Sequence, residues 1–335
     1  MPKKQVSIRD VASACGVSVA TVSRIINNQG KCSKETELLV REKIRELGYA
    51  SGRNPKPSRK TSTRAVGILV PDIRYEFFGN LIALIEQKLY AYDLAAFACN
   101  MIEEREALYL DRIASLNLTG LVVVSGYRKK GYQLPDSVPA VYINCIPDEG
   151  QADSRVATVE SNNVDAGYLA ATQLIASGSR HICIVTSRIN LDKTPYGRTI
   201  GYLKAMWEYG LNCDDSYVIT VDSAAYQDGY EATERLLAAH PGVDGIFCTS
   251  DALALGAMHC LRDHGMRVPQ DVRIVGCNDT SIAQVHHIAT IRHPLEEMAE
   301  LVVDFLIKME ADKPLTQRHV VLPVSFVPND TCPVP

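Results

Sequence analysis

The amino-acid sequence predicts two unlike folded parts, a small all-α module at the N-terminus and a large α/β domain built of two doubly wound lobes. Three observations predict this division. Helical spacing of apolar residues covers about the first fifty positions, a polar stretch with two prolines follows, and short β-branched runs alternate with helical stretches from residue 65 onward. Strands this apolar that alternate with helices belong to parallel sheets covered on both faces. With 335 residues, the chain is long enough for such domains to bury substantial cores.

Three short helices are predicted in the N-terminal module, because each has a polar cap residue, an apolar face and a stop signal. The second helix shows the apolar spacing most clearly, with Val19, Val22 and Ile25 on one face. Gly16 separates the first two helices, which is the arrangement of a helix-turn-helix. The predicted helices run from Ser7 to Gly16, from Ser18 to Asn27 and from Ser33 to Gly48.

From residue 65 onward, the sequence predicts two series of alternating strands and helices. The runs AVGILV at 65–70 and HICIV at 181–185 each follow a basic residue directly, and this weak internal repeat predicts two similar lobes with a cleft between them. In such sheets ligands bind beyond the carboxyl ends of the strands. The predicted parts are a headpiece at 1–49, a basic linker at 50–64 and an effector-binding and dimerisation domain at 65–335, with one lobe at about 65–158 and 292–318 and the other at about 159–291 and 319–330.

Charge is distributed unevenly between these parts. The formal net charge is −4, but residues 1–64 carry fourteen lysines and arginines against five acidic residues. Their net charge of +9 leaves −13 on the remainder of the chain. A basic module joined to an acidic body is typical of a protein whose one end meets a polyanion. A solvated basic arm is the alternative explanation.

The sequence lacks the patterns of an enzyme or a metal site. The ten cysteines are scattered without a Cys-x-x-Cys pair or zinc spacing, and the sequence has no Gly-x-Gly-x-x-Gly, P-loop or Gly-x-Ser-x-Gly motif. It has no secretory signal, and no apolar run is long enough to cross a bilayer. We therefore expect a cytoplasmic protein with reduced thiols and with no catalytic residues, cofactor, metal or membrane partner. His286, His287 and His293 lack a patterned acidic or cysteine partner and are interpreted as surface or loop histidines.

Long strings of the sequence resemble the LacI/GalR family of bacterial transcription regulators. The resemblance begins with VASACGVSVATVSRIIN at 11–27 and SKETELLVREKIRELGYA at 33–50, and it continues in order through VGILVPD at 66–72, RTIGY at 198–202 and RVPQDVRIVGCND at 267–279. It implies a periplasmic-binding-protein-like type I fold for the large domain. It also implies a repressor of a carbohydrate-utilisation operon, acting as a homodimer or tetramer on a pseudo-palindromic operator with two half-sites.

The same resemblance implies that the second helix reads the major groove. Val19 and Ala20 then occupy the two positions that mostly set operator preference, where small apolar side chains touch thymine methyls but form no bidentate hydrogen bonds. Arg24 is then the strong base reader, to guanine, with a solvated surface cation as the alternative. The other residues expected to contact DNA, chiefly its phosphates, are Ser7, Ser18, Thr21, Ser23 and Asn27.

The linker departs from the family pattern. Regulators of this type usually carry a short linker helix of the form Pro-Asn-x-x-Ala-Arg-x-Leu, whose leucine wedges between base pairs. This chain has Pro55 and Pro57 in that stretch and Ser58 at the wedge position, and each proline removes a helical N–H. We predict that no stable hinge helix forms and that operator bending is weak. Electrostatic contacts then come from Arg53, Lys56, Arg59 and Lys60.

An effector site between the lobes, for a small molecule such as a sugar, a sugar derivative or a nucleobase, is also implied by the resemblance. Arg198 matches the arginine that grips effector hydroxyls, and Asn144 and Asn278 stand where relatives often have aspartate. An asparagine both donates and accepts, which suits a neutral polyol. Phe77 and Phe78 match an aromatic pair beside the ligand, with plain core packing as the alternative. The further candidates are Ser161, Ser250 and Tyr226, the last as a substitute for an aromatic residue expected at Ala224.

Two other classes of protein fit the α/β part taken by itself. An extracytoplasmic solute-binding protein would carry a signal peptide and no headpiece, and an enzyme would carry a catalytic motif. Asp251, in the string S-D-x-x-A, is interpreted as part of a helix start rather than as a ligand contact. The leading hypothesis is a dimeric, effector-responsive repressor. Release and strengthening of DNA binding by the effector are both open at this point.

Overall fold

A computed structural model of the chain describes residues 8–26, 33, 36–37, 39–40, 43, 64–101, 116, 118–124, 138–145, 155–187 and 194–333, with the backbone alone at positions 24, 26, 194 and 195. The chain divides into two compact units, Met1–Ser62 and Thr63–Pro335. The division lies close to the predicted end of the linker. The predicted linker contacts Arg53, Lys56, Arg59 and Lys60 are outside the described residues.

The described part of the N-terminal unit contains two short helices, α1 (Ile8–Cys15) and α2 (Val19–Ile26). The turn between them contains Gly16, whose φ of 65° lies in the left-handed region where a side chain would be strained. Ala12 and Val22 are buried where the two helices pack together. The Ser18 hydroxyl accepts a hydrogen bond from the Thr21 amide at 3.1 Å and so caps α2. The predicted helix-turn-helix and its second helix start are confirmed.

The second unit alternates strands and helices, as the sequence predicts. Its elements are β1 (Ala65–Val70), α3 (Glu76–Tyr90), β2 (Ala95–Asn100), β3 (Gly120–Val124), β4 (Ala140–Ile143), β5 (Val156–Ser161), α4 (Asn163–Ala176), β6 (Ile182–Ser187), α5 (Thr194–Glu208), a 3-10 turn (Asp215–Tyr217), β7 (Val218–Val221), α6 (Tyr226–Ala239), β8 (Gly245–Cys248), α7 (Asp251–Asp263), β9 (Arg273–Cys277), α8 (Ser281–Val285), β10 (Ala289–Arg292), α9 (Leu295–Glu310), β11 (His319–Leu322) and β12 (Ser325–Val327).

These strands form two six-stranded sheets. The first has the order β11-β5-β4-β3-β1-β2 and is parallel throughout. The second has the order β12-β10-β9-β8-β6-β7 and is parallel except that β12 runs antiparallel to β10. Every residue of β1, β3, β4 and β8 is buried, as expected for parallel sheets between helices. The predicted α/β domain of two doubly wound lobes is confirmed.

The second sheet has a separate core on each face. On one face, Ile184 and Phe247 pack with Tyr202 of α5 and with residues of α4. On the other face, Cys183 and Ile246 pack with residues of α6 and α7. Because side chains alternate along a strand, the residue two positions after each of these strand residues points to the same face of the sheet.

The chain crosses between the two lobes three times. The first crossing follows β5 at Asn162, the second follows β10 at His293, and the third lies between β11 and β12. The boundaries expected at 159, 292 and 319 are therefore displaced by a few residues. The reason is strand pairing, because β5 and β11 stay paired with each other up to Ser161 and Leu322, and Arg292 still pairs with Ser325.

Candidate functional site

Four of the predicted effector residues meet near the places where the chain crosses between the lobes. Asn144 follows β4, Ser161 ends β5, Asn278 follows β9, and Arg198 is the fifth residue of α5. Asn144, Ser161 and Arg198 are buried, and Asn278 is half-buried. The carboxyl ends of parallel strands are where such sheets bind ligands. The structure thus brings these four predicted residues into one region.

The position of Arg198 is set by a close approach of α4 and α5. A Cβ added at Gly201 would lie 1.9 Å from the carbonyl oxygen of Val164, and one added at Gly167 would lie 1.8 Å from the carbonyl oxygen of Arg198. Only a hydrogen atom fits at either position, so the backbones of the two helices lie directly against each other. This contact also brings Asn163, the first residue of α4, beside the Arg198 side chain.

The Arg198 guanidinium makes four hydrogen bonds. Its Nε donates to Asn163 Oδ1 at 3.0 Å, and its Nη1 donates to the Thr249 carbonyl oxygen at 2.7 Å. Its Nη2 lies 3.1 Å from His293 Nε2 and, at a longer 3.5 Å, from Asn278 Oδ1. The guanidinium therefore joins the starts of α4 and α5 to the ends of β8, β9 and β10.

His293 lies at the centre of this group; it is a loop residue after β10, as one of the two interpretations has it, but the interpretation as a surface histidine is wrong. The residue is only 3 % exposed, at the second crossing between the lobes. Its Nδ1 lies 2.8 Å from Ser161 Oγ, and its Nε2 lies 3.4 Å from Cys277 Sγ as well as near Arg198. The sequence does carry one signal for this burial, because His293 directly follows the apolar strand β10.

The hydrogen bonds through His293 have one consistent direction. A guanidinium only donates, so Nε2 accepts from Arg198 and the ring proton is on Nδ1. Nδ1 then donates to Ser161 Oγ, and the Ser161 hydroxyl donates to Asn144 Oδ1 at 3.2 Å. The Ser161 amide donates to the same oxygen at 2.9 Å. A continuous chain of hydrogen bonds thus links Arg198 in one lobe to Asn144 in the other.

Burial, reinforced by the positive charge of Arg198, holds the pKa of His293 well below its ordinary value. The unfolded chain takes up a proton at this residue near pH 6.5, whereas the folded chain does not. We therefore expect His293 to contribute stability above pH 6.5 that is lost as the pH falls, by about 1.4 kcal/mol per pH unit. Urea denaturation between pH 7.5 and pH 5 measures this slope.

The matched variants for this pH measurement are His293→Gln and His286→Gln. Glutamine keeps one acceptor and one donor at position 293 without titrating, so the slope below pH 6.5 should become shallower. His286 is exposed, so its variant should follow the unmodified protein. Equal slopes for the unmodified protein and His293→Gln would contradict the prediction.

Asn278 and Asp279 form a turn at the end of β9 in which both residues have positive φ, of 111° and 52°. The Asn278 amide donates to the Ile291 carbonyl oxygen at 2.8 Å, which anchors the turn on β10. Asp279 accepts from Arg292 Nε at 2.5 Å. Asn278 therefore faces Arg198 from a fixed backbone, while the neighbouring carboxylate is held by another arginine.

Phe77 and Phe78 belong to the core of the first lobe, being 7 % and 6 % exposed. The ring centroid of Phe77 lies 5.6 Å from that of His293, with the planes at 76°, which is an edge-to-face contact. The ring of Phe78 instead contacts Tyr75 at 6.3 Å and Phe77 at 5.5 Å. Core packing is thus present for both residues. Contact with an effector remains a prediction, and Phe77 is the better placed of the two.

Ser250 and Tyr226 make their hydrogen bonds away from Arg198. The Ser250 hydroxyl accepts from the Leu253 amide and donates to the Ala224 carbonyl oxygen, both at 3.2 Å, and so caps α7. The Tyr226 hydroxyl lies 2.9 Å from Nδ1 of His259, more than two turns along α7 from the strand ends. Effector contacts at Ser250 and Tyr226 remain predictions without a contact to the Arg198 group.

Asp251 forms its hydrogen bonds on the face of the second sheet opposite to Arg198. Its carboxylate accepts from the Thr280 amide and hydroxyl, each at 2.8 Å, and from the Thr290 hydroxyl at 2.6 Å. Burial raises the pKa of Asp251 to about 7, against the opposing effect of these hydrogen bonds. A Cβ added at Gly276 would lie 2.5 Å from its Oδ1, so the glycine leaves room for it. These contacts agree with the interpretation of Asp251 as a helix-start residue.

Two contacts across the cleft were missed by sequence reasoning. Glu76, in the first turn of α3, accepts from the Ser281 amide at 2.8 Å and from the Ser281 hydroxyl at 2.7 Å. The Tyr75 hydroxyl accepts from the Ala224 amide at 3.3 Å. Residues 76 and 281 are 205 positions apart, so no local pattern in the sequence links them. These contacts join the first lobe to the second at points separate from the hydrogen bonds of Arg198.

The described residues of the predicted DNA-reading helix lie mostly at the surface. Ser18, Val19 and Ala20 are exposed, and Thr21 and Ser23 are half-buried. The hydroxyls of Ser18 and Thr21 are 2.9 Å apart, which ties Thr21 to the helix cap. The Arg24 side chain, Ser7 and Asn27 are outside the described residues. Their contacts with DNA remain predictions.

The described residues carry no arrangement typical of a metal site or of a membrane span. Within them, no group of three or more His, Cys, Asp or Glu side chains is arranged to hold a metal ion. No helix among them is both long and apolar enough to span a bilayer. The nine cysteines in the described ranges are free thiols. Burial raises the pKa of Cys277, the cysteine beside His293, to about 11.

Comparison with known proteins gives matches to both units. Residues 7–51 match the model for bacterial regulatory proteins of the lacI family, and residues 171–332 match the model for a periplasmic binding protein-like domain. The chain is 29 % identical over 330 residues to the HTH-type transcriptional regulator RegA of Clostridium saccharobutylicum, with 97 % of this chain and 98 % of RegA covered. It is 31 % identical over 279 residues to the HTH-type transcriptional repressor PurR of Haemophilus influenzae strain PittEE, with 82 % and 81 % covered.

A solved structure supports the same relationship. The complex of the transcriptional regulator CelR with cellobiose superimposes with a TM-score of 0.72 at 25 % identity, over 97 % of this chain and 99 % of CelR. These similar proteins are transcriptional regulators rather than enzymes, in agreement with the sequence. A helix-turn-helix unit followed by a two-lobed α/β unit, with matches along nearly the whole chain, leads to one conclusion. The chain belongs to the lacI family of bacterial regulatory proteins.

Proposed function

We propose that this protein represses a carbohydrate-utilisation operon and that a sugar or sugar derivative bound between its lobes changes its affinity for operator DNA. The observation that carries the proposal is the buried chain from Arg198 through His293 and Ser161 to Asn144, which joins the two lobes at their strand ends. A similar protein is known as a complex with cellobiose, which supports a sugar-like effector. Its operator DNA would place the repressor in the bacterial cytoplasm.

The DNA-reading part of the proposal rests on α2. Two copies of the headpiece in a homodimer would read the two half-sites of a pseudo-palindromic operator. Val19 and Ala20 are exposed, small and apolar, so they suit thymine methyl groups. Arg24 supplies the bidentate contact to guanine, and the hydroxyl and amide side chains nearby supply phosphate contacts. The basic charge of residues 1–64 attracts the DNA backbone.

The effector acts by shifting a population of lobe arrangements. A ligand changes that population only as far as it binds one arrangement more tightly than the other. Arg198 and Asn144 belong to different lobes and are connected through both His293 and Ser161. A ligand that bonds to either end of this series of hydrogen bonds therefore acts on both lobes. The headpieces of the dimer follow the lobes and either match or miss the half-site spacing.

The experiment that tests DNA reading is operator binding by Arg24→Ala, with effector binding as the second readout. A bidentate base contact is worth about 1–3 kcal/mol, so the variant should no longer prefer its operator over unrelated DNA. Effector binding should be unchanged, because Arg24 and Arg198 lie in different compact units. Fluorescence anisotropy with labelled operator measures the first, and calorimetry measures the second.

Salt dependence provides the control for this experiment. Affinity of the unmodified protein should fall steeply between about 50 and 200 mM salt, because phosphate contacts release counterions. Lys56→Ala should weaken binding to all DNA sequences alike and reduce the salt slope by about one. Affinity that does not change with salt would overturn the proposed DNA binding. Equal loss of operator and effector binding in Arg24→Ala would overturn the separation of the two roles.

The linker gives a separate prediction about DNA shape. Pro55 and Pro57 oppose a helix, and Ser58 is too small to unstack a base step. We therefore expect the bound operator to be bent only weakly. A circular-permutation assay measures the bend. A sharp central kink in the operator would show that the linker inserts into the minor groove after all.

A further inference from the structure

We infer that the effector carries an anionic group, a carboxylate or a phosphate, which binds at Arg198 together with the hydroxyls of Thr186 and Thr249. The inference deepens the proposed function and rests on it. It replaces the neutral polyol favoured by Asn278 with a charged derivative. Arg198 is a buried cation among neutral partners, and two buried hydroxyls lie on the same face of the second sheet.

Arg198 is a buried cation whose hydrogen-bond partners are all neutral. Arg198 is only 7 % exposed. Its guanidinium forms hydrogen bonds with Asn163, the Thr249 carbonyl oxygen, His293 and Asn278. His293 accepts from it as a neutral ring. No carboxylate among the described residues forms an ion pair with Arg198. Buried charges in proteins are normally paired, so this cation is one partner short.

The carboxylates of neighbouring elements are occupied elsewhere. Asp251, the first residue of α7, accepts from Thr280 and Thr290 on the opposite side of the second sheet from Arg198. Asp279 forms an ion pair with Arg292 at 2.5 Å. Both carboxylate oxygens of Glu76 accept hydrogen bonds, one from the amide and one from the hydroxyl of Ser281. Within the described residues, the unbalanced positive charge at Arg198 therefore remains.

Two buried hydroxyls lie on the same face of the sheet as Arg198. Thr186 and Thr249 are 6 % and 4 % exposed, and neither hydroxyl has a hydrogen-bond partner among the described residues. Each follows by two positions a core residue, Ile184 or Phe247, that packs against α5. Alternation along the strands places both hydroxyls on the α4 and α5 face. An unpartnered buried hydroxyl is costly, so these two indicate a polar partner beyond the described residues, which we assign to the bound effector.

The two hydroxyls and the guanidinium are close neighbours in the fold. β6 and β8 are adjacent, Val185 is in register with Cys248, and the Thr249 amide donates to the Val185 carbonyl oxygen at 2.9 Å. Thr186 and Thr249 are therefore next to each other across one strand spacing, about 4.8 Å. Arg198 Nη1 bonds to the carbonyl oxygen of Thr249 itself. Four bonds use four of the five guanidinium N–H groups, which leaves one N–H on Nη1 for a ligand.

The groups left over are one N–H of a charged guanidinium and two hydroxyls, and each of them can donate a hydrogen bond. A carboxylate or a phosphate is acceptor-rich and accepts from a guanidinium and from hydroxyls at once. α4 and α5 also begin at this edge, and helix N-termini favour negative charge. A neutral sugar would satisfy the hydroxyls but would leave the charge of Arg198 unbalanced. The site therefore matches a sugar acid or a sugar phosphate.

The experiment compares matched pairs of ligands on the full-length protein. D-gluconate is paired with D-sorbitol, which replaces its carboxylate by a hydroxymethyl group, and D-glucose 6-phosphate is paired with D-glucose. Inorganic phosphate at tens of millimolar, with ionic strength matched by sodium chloride, serves as the plain anion. Thermal shift and calorimetry report binding, since a ligand of the folded state raises the melting temperature by mass action. The two pairs distinguish a carboxylate from a phosphate.

We expect at least one of the three anions to bind at least about tenfold more tightly than the neutral ligands. Arg198→Met removes the charge and keeps the apolar stem, so the difference within each pair should disappear. Thr186→Val and Thr249→Val keep the shape of the side chain and remove the hydroxyl. Each should weaken anion binding several-fold while the melting temperature without ligand is equal or higher, because an unpartnered buried hydroxyl has been removed.

Two results would overturn the inference. One is a neutral ligand that binds as tightly as its charged counterpart, and the other is the absence of any shift with phosphate and with both charged ligands. A neutral sugar that releases operator DNA would end the anion inference and leave the proposed repressor standing. An anion that binds at Arg198 without changing operator affinity would support the inference and contradict the proposed effector response.

Discussion

Gly201→Ala should destabilise the second unit by at least about 3 kcal/mol, the upper range for overpacked positions. The added Cβ would lie 1.9 Å from the Val164 carbonyl oxygen and 2.6 Å from the Tyr168 amide nitrogen. Both are backbone atoms of a helix, so neither can rotate away as a side chain can. The helices α4 and α5 must separate to relieve the collision. Urea denaturation followed by circular dichroism measures the loss.

Gly79→Ala is the matched control, because Gly79 also lies within a helix but has no atom within 4 Å of an added Cβ. This substitution should stabilise the protein by about 0.5–1 kcal/mol, since alanine has the higher helix propensity. The two variants add the same methyl group, so their opposite signs isolate the close approach of α4 and α5. A small or stabilising effect at Gly201 would mean that the two helices can separate at little cost.

A functional consequence accompanies the loss of stability. Arg198 lies three residues before Gly201 on α5, and its carbonyl oxygen is the atom that a Cβ at Gly167 would strike. Any separation of α4 and α5 therefore moves the guanidinium away from Asn163 and Thr249. Where Gly201→Ala remains folded, at low temperature, its effector affinity should be reduced more than its operator affinity.

Arg198→Ala should retain operator binding and lose the response to the effector. The substitution removes the donor of four hydrogen bonds at the junction of the lobes and the positive charge proposed to bind the effector. We expect effector affinity to fall at least about a hundredfold, because hydrogen bonds to charged groups are worth about 1.5–3 kcal/mol each. Operator affinity without effector should stay within about threefold, a difference of under 1 kcal/mol.

Anisotropy of labelled operator, titrated with and without the effector, measures both quantities. A thermal-shift screen over sugars, sugar acids, sugar phosphates and nucleobases identifies the compound to use. Arg262→Ala is the control, because that arginine is on α7 with its side chain 70 % exposed and should leave both quantities unchanged. Equal loss of operator binding and effector response in Arg198→Ala would refute the division of labour between headpiece and lobes.

Most of the architecture was predictable from local patterns. The strands β1 and β6 coincide closely with the β-branched runs at 65–70 and 181–185, because a parallel strand buried on both faces is mostly apolar. The start of α2 at Ser18 was predictable because a cap residue acts on an amide three positions away. Arg198, Asn144 and Ser161 were found because their strings resemble a known family, and the fold brings them together.

The misjudged residues depend on contacts between distant parts of the chain. His293 has no patterned partner in the sequence, yet it is buried between Arg198 and Ser161, which are 95 and 132 positions away. Tyr226 remains a predicted effector residue, and its hydroxyl bonds to His259, another contact that its position in the sequence does not indicate. The crossings at 159, 292 and 319 were displaced because strand pairing continues a few residues beyond each expected boundary.

The sequence by itself determined the classes of element, the order of the two units and the separation of a +9 basic region from a −13 acidic body. These properties follow from residue type and from spacing over a few positions. Only the tertiary structure decided which charges are balanced, because a charge is balanced by whatever lies near it in space. Asp279 is balanced by Arg292 across two strands, whereas Arg198 is buried among neutral partners in the described structure. That difference is why Asn278, taken from the sequence alone, favoured a neutral polyol, whereas the neutral partners of Arg198 are the basis for proposing an anion.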